Sequence, residues 1–267
     1  MKDLTPILLL GAGRMGGALI SGWKLSGAIS PADLIIRDPN PGPEAKEAEA
    51  AGARLNPPDE VLKNARTVLV LVKPQIWREA AAQVTDLLAA DATIVSVAAG
   101  VAAKDLAEGF GGRKVARVMP TTAAAIGQGT ASIHAADPAA RAVAEALFAP
   151  VGTVAHLADE DLLHAATGVS GSAPAYLYAF IEALEAAGAK AGLPEDVSKD
   201  LARATIAGAA ALLARSGAEP ADLRVQVTSP GGTTAAALAV LMGQGGLGPL
   251  LEDAVAAATA RSRELGK

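Results

Sequence analysis

At 267 residues, 51% of them hydrophobic and 19% charged, the chain carries enough apolar side chains to bury a core and too many for a disordered segment. It has no cysteine, which excludes disulfides, thiolate catalysis and cysteine-ligated metals and fits a cytoplasmic protein. A net charge of −5, with no dense run of Lys or Arg, leaves no basic footprint for nucleic acid.

The first half alternates short β-like runs with helical stretches. Ile7–Leu10 is a continuous apolar run, as expected of a strand buried on both faces. Arg14–Leu25 reads as a helix, Leu34–Ile36 as a strand, Glu44–Ala51 as a helix and Thr67–Val72 as the clearest strand. Ile76–Leu88 is then helical, Thr93–Val97 and Val115–Met119 are strand-like, and the domain boundary falls near residue 158, after Val154–Leu157. Strands alternating with helices imply a parallel sheet with right-handed crossovers.

From about Asp159 the chain turns helical and rich in Ala and Gly, with Val225–Val227 the one candidate strand. Helices are predicted over Glu160–Ala189 (with a bend at Ser170–Pro174), Val197–Ser216, Thr233–Met242 and Leu250–Leu265, punctuated by Gly192–Pro194 and Gly217–Pro220. The expected architecture is α/β: an N-terminal Rossmann-like parallel-sheet domain over 1–158, then an all-α domain over 159–267. Mean hydropathy is positive, at +0.32. The longest uncharged stretch, Val225–Leu251, is nevertheless broken by Pro230, Gly231, Gly232, Gly243, Gly245, Gly246 and Pro249, so no membrane span is expected. Ala202–Ala214 is apolar on nearly every face and Thr233–Met242 carries no charge. Such helices must be buried all round, and a second copy of the chain would supply the missing surface.

Gly11-Ala12-Gly13-Arg14-Met15-Gly16 is G-x-G-x-x-G, following the first strand and opening the first helix. The glycines serve a tight turn, backbone approach to a pyrophosphate and close helix–sheet packing, while the helix N-terminus attracts the phosphates. Glycines also make plain turns, and it is the flanking strand and helix that favour a dinucleotide site. At the end of the second strand, Asp38 suits the ribose hydroxyls of NADH, whereas Arg37, assisted by Asn40, suits the 2′-phosphate of NADPH. Asp38 could equally cap the turn before Pro39, and the sequence leaves the choice open. Val72, Lys73 and Pro74 follow the strongest strand, where open α/β sheets bind ligands, and the small residues Ala98, Ala99 and Gly100 end the next.

Ser229-Pro230-Gly231-Gly232-Thr233-Thr234 precedes a helix. Two glycines let a ligand press on the backbone, and the following N–H groups make a carboxylate receptor; a simple helix cap would look the same. His134, His156 and His164 form no constellation, and no metal site is expected.

In order along the chain, GAGRMG, LVLVKPQ, SVAAG, RVMP at Arg117–Pro120, VSGSAPAY at Val169–Tyr176 and VTSPGGTTAAAL at Val227–Leu238 resemble the Δ1-pyrroline-5-carboxylate reductases. The likeness runs from Gly11 to the Arg261–Leu265 tail and rests most specifically on SPGGTT. It implies a helical dimerisation domain, NADPH or NADH, and reduction of a small cyclic imino acid to L-proline. Thr234 would hydrogen-bond the imine nitrogen, and the backbone of Ser229, Gly231, Gly232 and Thr233 would hold the carboxylate. The resemblance also implies an obligate homodimer, assembling further into a larger oligomer such as a decamer. The chain departs from the family pattern at Thr121-Thr122-Ala123, Ala173, His164 and Pro58-Asp59.

Two other classes stay open on sequence alone. One is a reductase of another small cyclic imine or of a keto or hydroxy acid. The other is a regulator that binds nicotinamide nucleotide without turnover. Nicotinamide oxidation with pyrroline-5-carboxylate separates all three.

Overall fold

The computed structural model describes residues 4–265, so the outermost limits of both sequence-read domains, 1–3 and 266–267, lie outside it. Eight strands form one sheet: β1 Ile7–Leu10, β2 Leu34–Arg37, β3 Arg54–Leu55, β4 Thr67–Val70, β5 Thr93–Ser96, β6 Val115–Pro120, β7 Gly129–His134 and β8 Gly152–His156. Between them run α1 Arg14–Ser26, α2 Pro43–Ala50, α3 Trp77–Val84, α4 Ala103–Gly109 and α5 Pro138–Phe148. Beyond the sheet come α6 Leu162–Ala166, α7 Ala173–Lys190, α8 Glu195–Ser216, α9 Pro220–Gln226, α10 Thr233–Leu241 and α11 Leu247–Glu264.

The strand order is β3-β2-β1-β4-β5-β6-β7-β8. The continuous apolar runs are explained by the period-2 alternation of side chains, which seals both faces. Ile7, Leu9, Ile36, Leu69 and Val95 point to one core with Trp23, Ala48 and Phe148. Leu8, Leu10, Ile35, Val70 and Ile94 point to the other with Trp77, Leu106 and Phe110. Each fully buried Leu or Ile contributes about 1.5–3 kcal/mol. Trp23 also donates its indole N–H to the Leu147 carbonyl at 2.8 Å, tying α1 to α5.

All pairings are parallel except β6 with β7. That antiparallel pair corrects an all-parallel reading, and the reason lies in the connection. Residues 121–128 are too few for a crossover, which takes about a dozen or more, and instead make a tight 3₁₀ turn over Thr122–Ile126.

The chain divides into two compact units: the first holds the residues up to Gly171 and those from Ala256 onward, the second Ser172–Val255. The sheet itself ends at His156, close to where the sequence changes character. The expected helix over 160–189 is interrupted by a π turn at Thr167–Gly171, and Pro174 then sits in the first turn of α7. Val225–Val227 is not a strand. Pro220 opens a helix that runs to Gln226, with Asp222 favourably placed in its first turn. Among the described residues no helix is long and apolar enough to cross a membrane.

Candidate cofactor and substrate sites

In the first unit, the loops singled out by sequence gather at the carboxyl ends of the parallel strands. Gly11 follows β1, Asp38 follows β2, Val72–Pro74 lies just past β4 and Ala98–Gly100 just past β5. Because β1 pairs with both β2 and β4, chain direction across the sheet reverses at β1. A doubly wound sheet opens its ligand crevice at such a switch point. A cleft of about 430 Å³ lies there, lined by Gly11, Arg37, Asp38, Asn56 and Val72 among others.

The three glycines of the first turn do three different things. Gly11 has φ +96°, which favours glycine, and donates its N–H to the Arg37 carbonyl at 2.8 Å. A Cβ on Gly16 would stand 2.9 Å from the Gly11 carbonyl oxygen, so only glycine lets α1 approach the strand this closely. Gly13 faces open space, where a side chain would project over the N-terminus of α1. That terminus has neither a capping side chain nor an acidic residue in its first turn. Arg14 is exposed and Met15 half-buried beside it, while Ala12 is buried. An uncapped helix end behind a turn bare of side chains fits a dinucleotide pyrophosphate.

Asp38 Oδ2 accepts from the Ala12 N–H at 2.5 Å, and Oδ1 accepts from the Asn40 N–H at 2.7 Å. Asp38 therefore caps its turn, and it also lines the cleft. Asn56, in the left-handed region at φ 45°, clasps the Asp38 backbone through both ends of its amide, at 3.0 and 2.8 Å. Arg37 Nη2 meets Asp59 Oδ1 at 2.5 Å. Lys73 is exposed, Ala98 and Gly100 are buried, and Gly100 takes φ +80°.

Sequence reasoning missed the next feature. Arg117 on β6 is 5% exposed, and its Nη1 donates to Glu160 Oε1 at 2.7 Å. The same oxygen accepts the Ala103 N–H at 2.6 Å, at the first residue of α4 and just beyond the Ala98–Gly100 loop. Burial pulls the Glu160 carboxyl upward, but Arg117 and the Ala103 N–H outweigh it and hold it below the ordinary glutamate value. His164 Nδ1 lies 2.9 Å from the buried Ser262 hydroxyl, and burial, reinforced by Arg117, lowers its pKa.

The second unit carries the other loop. Gly231 takes φ +70°, and the Gly232 N–H donates to the Ser229 carbonyl at 3.0 Å, closing the turn that opens α10. A Cβ on Gly232 would stand 2.4 Å from Ser229 Oγ, whereas Gly231 faces open space. Ser229 and Thr233 are exposed and Thr234 is half-buried. The α10 N-terminus has no side-chain cap and no acidic residue, so its N–H groups are available to a carboxylate. Among the described residues no group of three His, Asp or Glu side chains could hold a metal ion.

Two family models match the chain. Residues 160–265 match the family model for pyrroline-5-carboxylate reductase dimerisation. Residues 6–100 match a model described as NADP oxidoreductase, coenzyme F420-dependent. The pyrroline-5-carboxylate reductase of Pisum sativum is 37% identical, across 99% of this chain and 97% of its own length. The solved pyrroline-5-carboxylate reductase of Coxiella burnetii superposes with a TM-score of 0.89 at 28% identity, covering 99% of both chains. That of Plasmodium falciparum, solved with NADP bound, gives 0.83 at 26% identity, again over 99% of both.

Proposed function

The chain belongs to the pyrroline-5-carboxylate reductase family, and on that premise we propose how its own residues carry the reaction. It reduces Δ1-pyrroline-5-carboxylate to L-proline, the closing step of proline biosynthesis. The observation that carries this reading is the convergence of Gly11–Gly16, Arg37–Asp38, Val72–Pro74 and Ala98–Gly100 at the carboxyl ends of neighbouring strands of the sheet.

Bound NADPH or NADH supplies the hydride. Gly11, Ala12, Gly13, Arg14, Met15 and Gly16 hold its pyrophosphate at the α1 N-terminus. Arg37 and Asp38 receive the adenosine ribose, while Val72, Lys73, Pro74, Ala98, Ala99 and Gly100 line the remainder. Ser229, Gly231, Gly232 and Thr233 bind the substrate carboxylate through the loop backbone, and Thr234 hydrogen-bonds the imine nitrogen. A protonated imine is already an electrophile, so orientation rather than a nucleophile is what the protein must provide. On this reading residues 1–158 form the cofactor domain and 159–267 the dimerisation and substrate domain. We place the enzyme in the cytoplasm, a reading supported by the absence of cysteine, as a homodimer able to build a larger homo-oligomer such as a decamer.

Purified protein given pyrroline-5-carboxylate should consume the reduced nicotinamide band and release proline. Thr234→Ala should lower kcat/KM by roughly 5- to 150-fold, the worth of one hydrogen bond to a polar or charged group, with cofactor affinity little changed. Cofactor binding without any oxidation would favour the regulator instead, and an unchanged kcat/KM would remove Thr234 from the mechanism.

A further inference from the structure

We propose that the Arg37–Asp59 ion pair and the fixed Asp38 carboxylate make this chain select NADH, with its free ribose 2′-hydroxyl, over the 2′-phosphorylated NADPH. The proposal rests on the nicotinamide-nucleotide reading above and concerns only the adenosine end of that site.

The charge around the cleft is the first argument. Arg37, Asp38 and Glu79 are its charged lining residues, and Asp59 joins them by holding Arg37 at 2.5 Å. The cleft lining thus carries one guanidinium, itself paired with Asp59, against the Asp38 and Glu79 carboxylates, while Arg14 and Lys73 of the cofactor reading lie outside this lining. A 2′-phosphate would bring a charge of about −2 into a neighbourhood that is already negative.

Asp38 is also unable to turn aside. Its two oxygens accept from Ala12 N–H and Asn40 N–H, and Asn56 grips its backbone on both sides. Rotating the carboxylate away would break both bonds, one of them to the turn that receives the pyrophosphate. Its remaining lone pairs can accept from the two hydroxyls of an unmodified ribose, but an ionised carboxylate has no proton to offer a phosphate.

Arg37 is the one lining cation that could compensate, and the structure commits it elsewhere. Its Nη2 serves Asp59, and its Nε is sealed from solvent without a hydrogen-bond partner, out of reach of a ligand in the cleft. Swinging the guanidinium onto a phosphate would free Arg37 only by stranding the Asp59 carboxylate beside the same phosphate. Asp59 therefore acts as the selectivity residue through Arg37, and Asp38 acts directly.

Calorimetric titration of the full chain with NADH and with NADPH, no imine present, reads the preference without turnover. The wild type should bind NADH about tenfold or more tightly than NADPH, as like-charge juxtaposition requires. Asp59→Asn frees Arg37 and removes one negative charge, so the ratio should move toward NADPH by about fivefold. Arg37→Ala in the Asp59→Asn background should cancel that gain. Asp59 is exposed, so loss of fold is not expected, and the wild-type ratio tests the idea without any variant. Equal or tighter binding of NADPH by the wild type, or an unmoved ratio in Asp59→Asn, would overturn the proposal. If neither nucleotide binds, the cofactor reading falls and this proposal with it. If NADH binds preferentially but no imine is reduced, the activity reading alone fails.

Discussion

Arg117 lies in the interior of the first unit, and the company it keeps decides how pH acts on the fold. Its one carboxylate partner, Glu160, simultaneously fixes the start of α4, so Glu160→Gln would leave a guanidinium buried without its counter-charge. Breaking a buried pair in this way costs about 3–5 kcal/mol, and less here because Glu160 is about a third exposed. The folded carboxyl titrates below its ordinary value of 4.5, so the pair's contribution is complete above that pH and is lost as pH falls through the folded value. His164 acts with the same sign for a different reason. Arg117 and Arg263 oppose its protonation and Asp161 and Glu160 favour it, but burial dominates and lowers its pKa from 6.5. The unfolded chain therefore binds the proton first, and stability falls as pH drops below about 6.5. Melting temperatures from pH 7 to about 5 should decline less in His164→Asn than in wild type. Equal slopes would show that His164 does not titrate against the fold. None of this was visible along the chain, because Arg117 and Glu160 are separated by the whole of β7, α5 and β8. Separation along the chain likewise hid the clasp of Asn56 on Asp38 and the pairing of Asp59 with Arg37, 18 and 22 residues apart. The placement of Gly11–Gly16 and Asp38 at the strand ends, by contrast, was legible because it follows from a local strand–turn–helix order.

At the level of elements, α1 shows how a helix pattern records two different pressures. Gly17 and Gly22 are both helical and both buried, and by propensity alone replacing either with Ala should help by about 0.5–1 kcal/mol. The packing separates them. A Cβ on Gly22 would stand 2.2 Å from the Ala124 backbone oxygen and 2.8 Å from Val151, where α1 lies on the 3₁₀ turn between β6 and β7. Gly17 would meet only the end of the Glu44 side chain, which can swing away. Gly22→Ala should therefore destabilise by about 1–3 kcal/mol and weaken cofactor binding by shifting α1, whereas Gly17→Ala should be neutral or stabilising. Denaturant unfolding measures both, and equal effects would mean that α1 is not pressed onto that turn. The turn also accounts for what the sequence left obscure. Strands β1, β2, β4 and β5 declare themselves as apolar runs because both of their faces are covered. Strand β7, GTASIH, is polar at alternate positions, and β8 is largely exposed, so neither stood out as strongly. The α9 segment was misread because the short Val225–Val227 run carries β-propensity, while Pro220 and Asp222 supply the helix start.

For the whole molecule, the second unit raises a question of solubility that one chain cannot answer. Helix α7 has no buried residue, α8 has only Ser198 and Ala202, and α10 has none, although α10 carries no charge and is apolar on every face. Val240 is 77% exposed, and Tyr178, Leu212, Val225, Val227 and Leu250 are each more than half exposed. Scattered apolar residues are ordinary on a surface, but an exposed helix without a single charge, as α10 is, is not. Residues 160–265 match a dimerisation family model, and homo-oligomerisation is the burial that these helices lack. An obligate interface of this kind runs to about 2,000 Å² or more and is more apolar than a transient one. Light scattering at micromolar concentration should therefore find a dimer or a larger assembly and no stable species at the 26.5 kDa of one chain. A charge set into the middle of the uncharged surface makes the test sharper. Val240→Glu should leave the first unit's nucleotide binding intact, since the cofactor loops belong to a separate compact unit. It should nevertheless lower the oligomer's melting temperature and let monomer appear on dilution, because an unpaired carboxylate buried in an interface is costly. A fully active monomer, or an oligomer indifferent to Val240→Glu, would place the interface on some other surface of the chain.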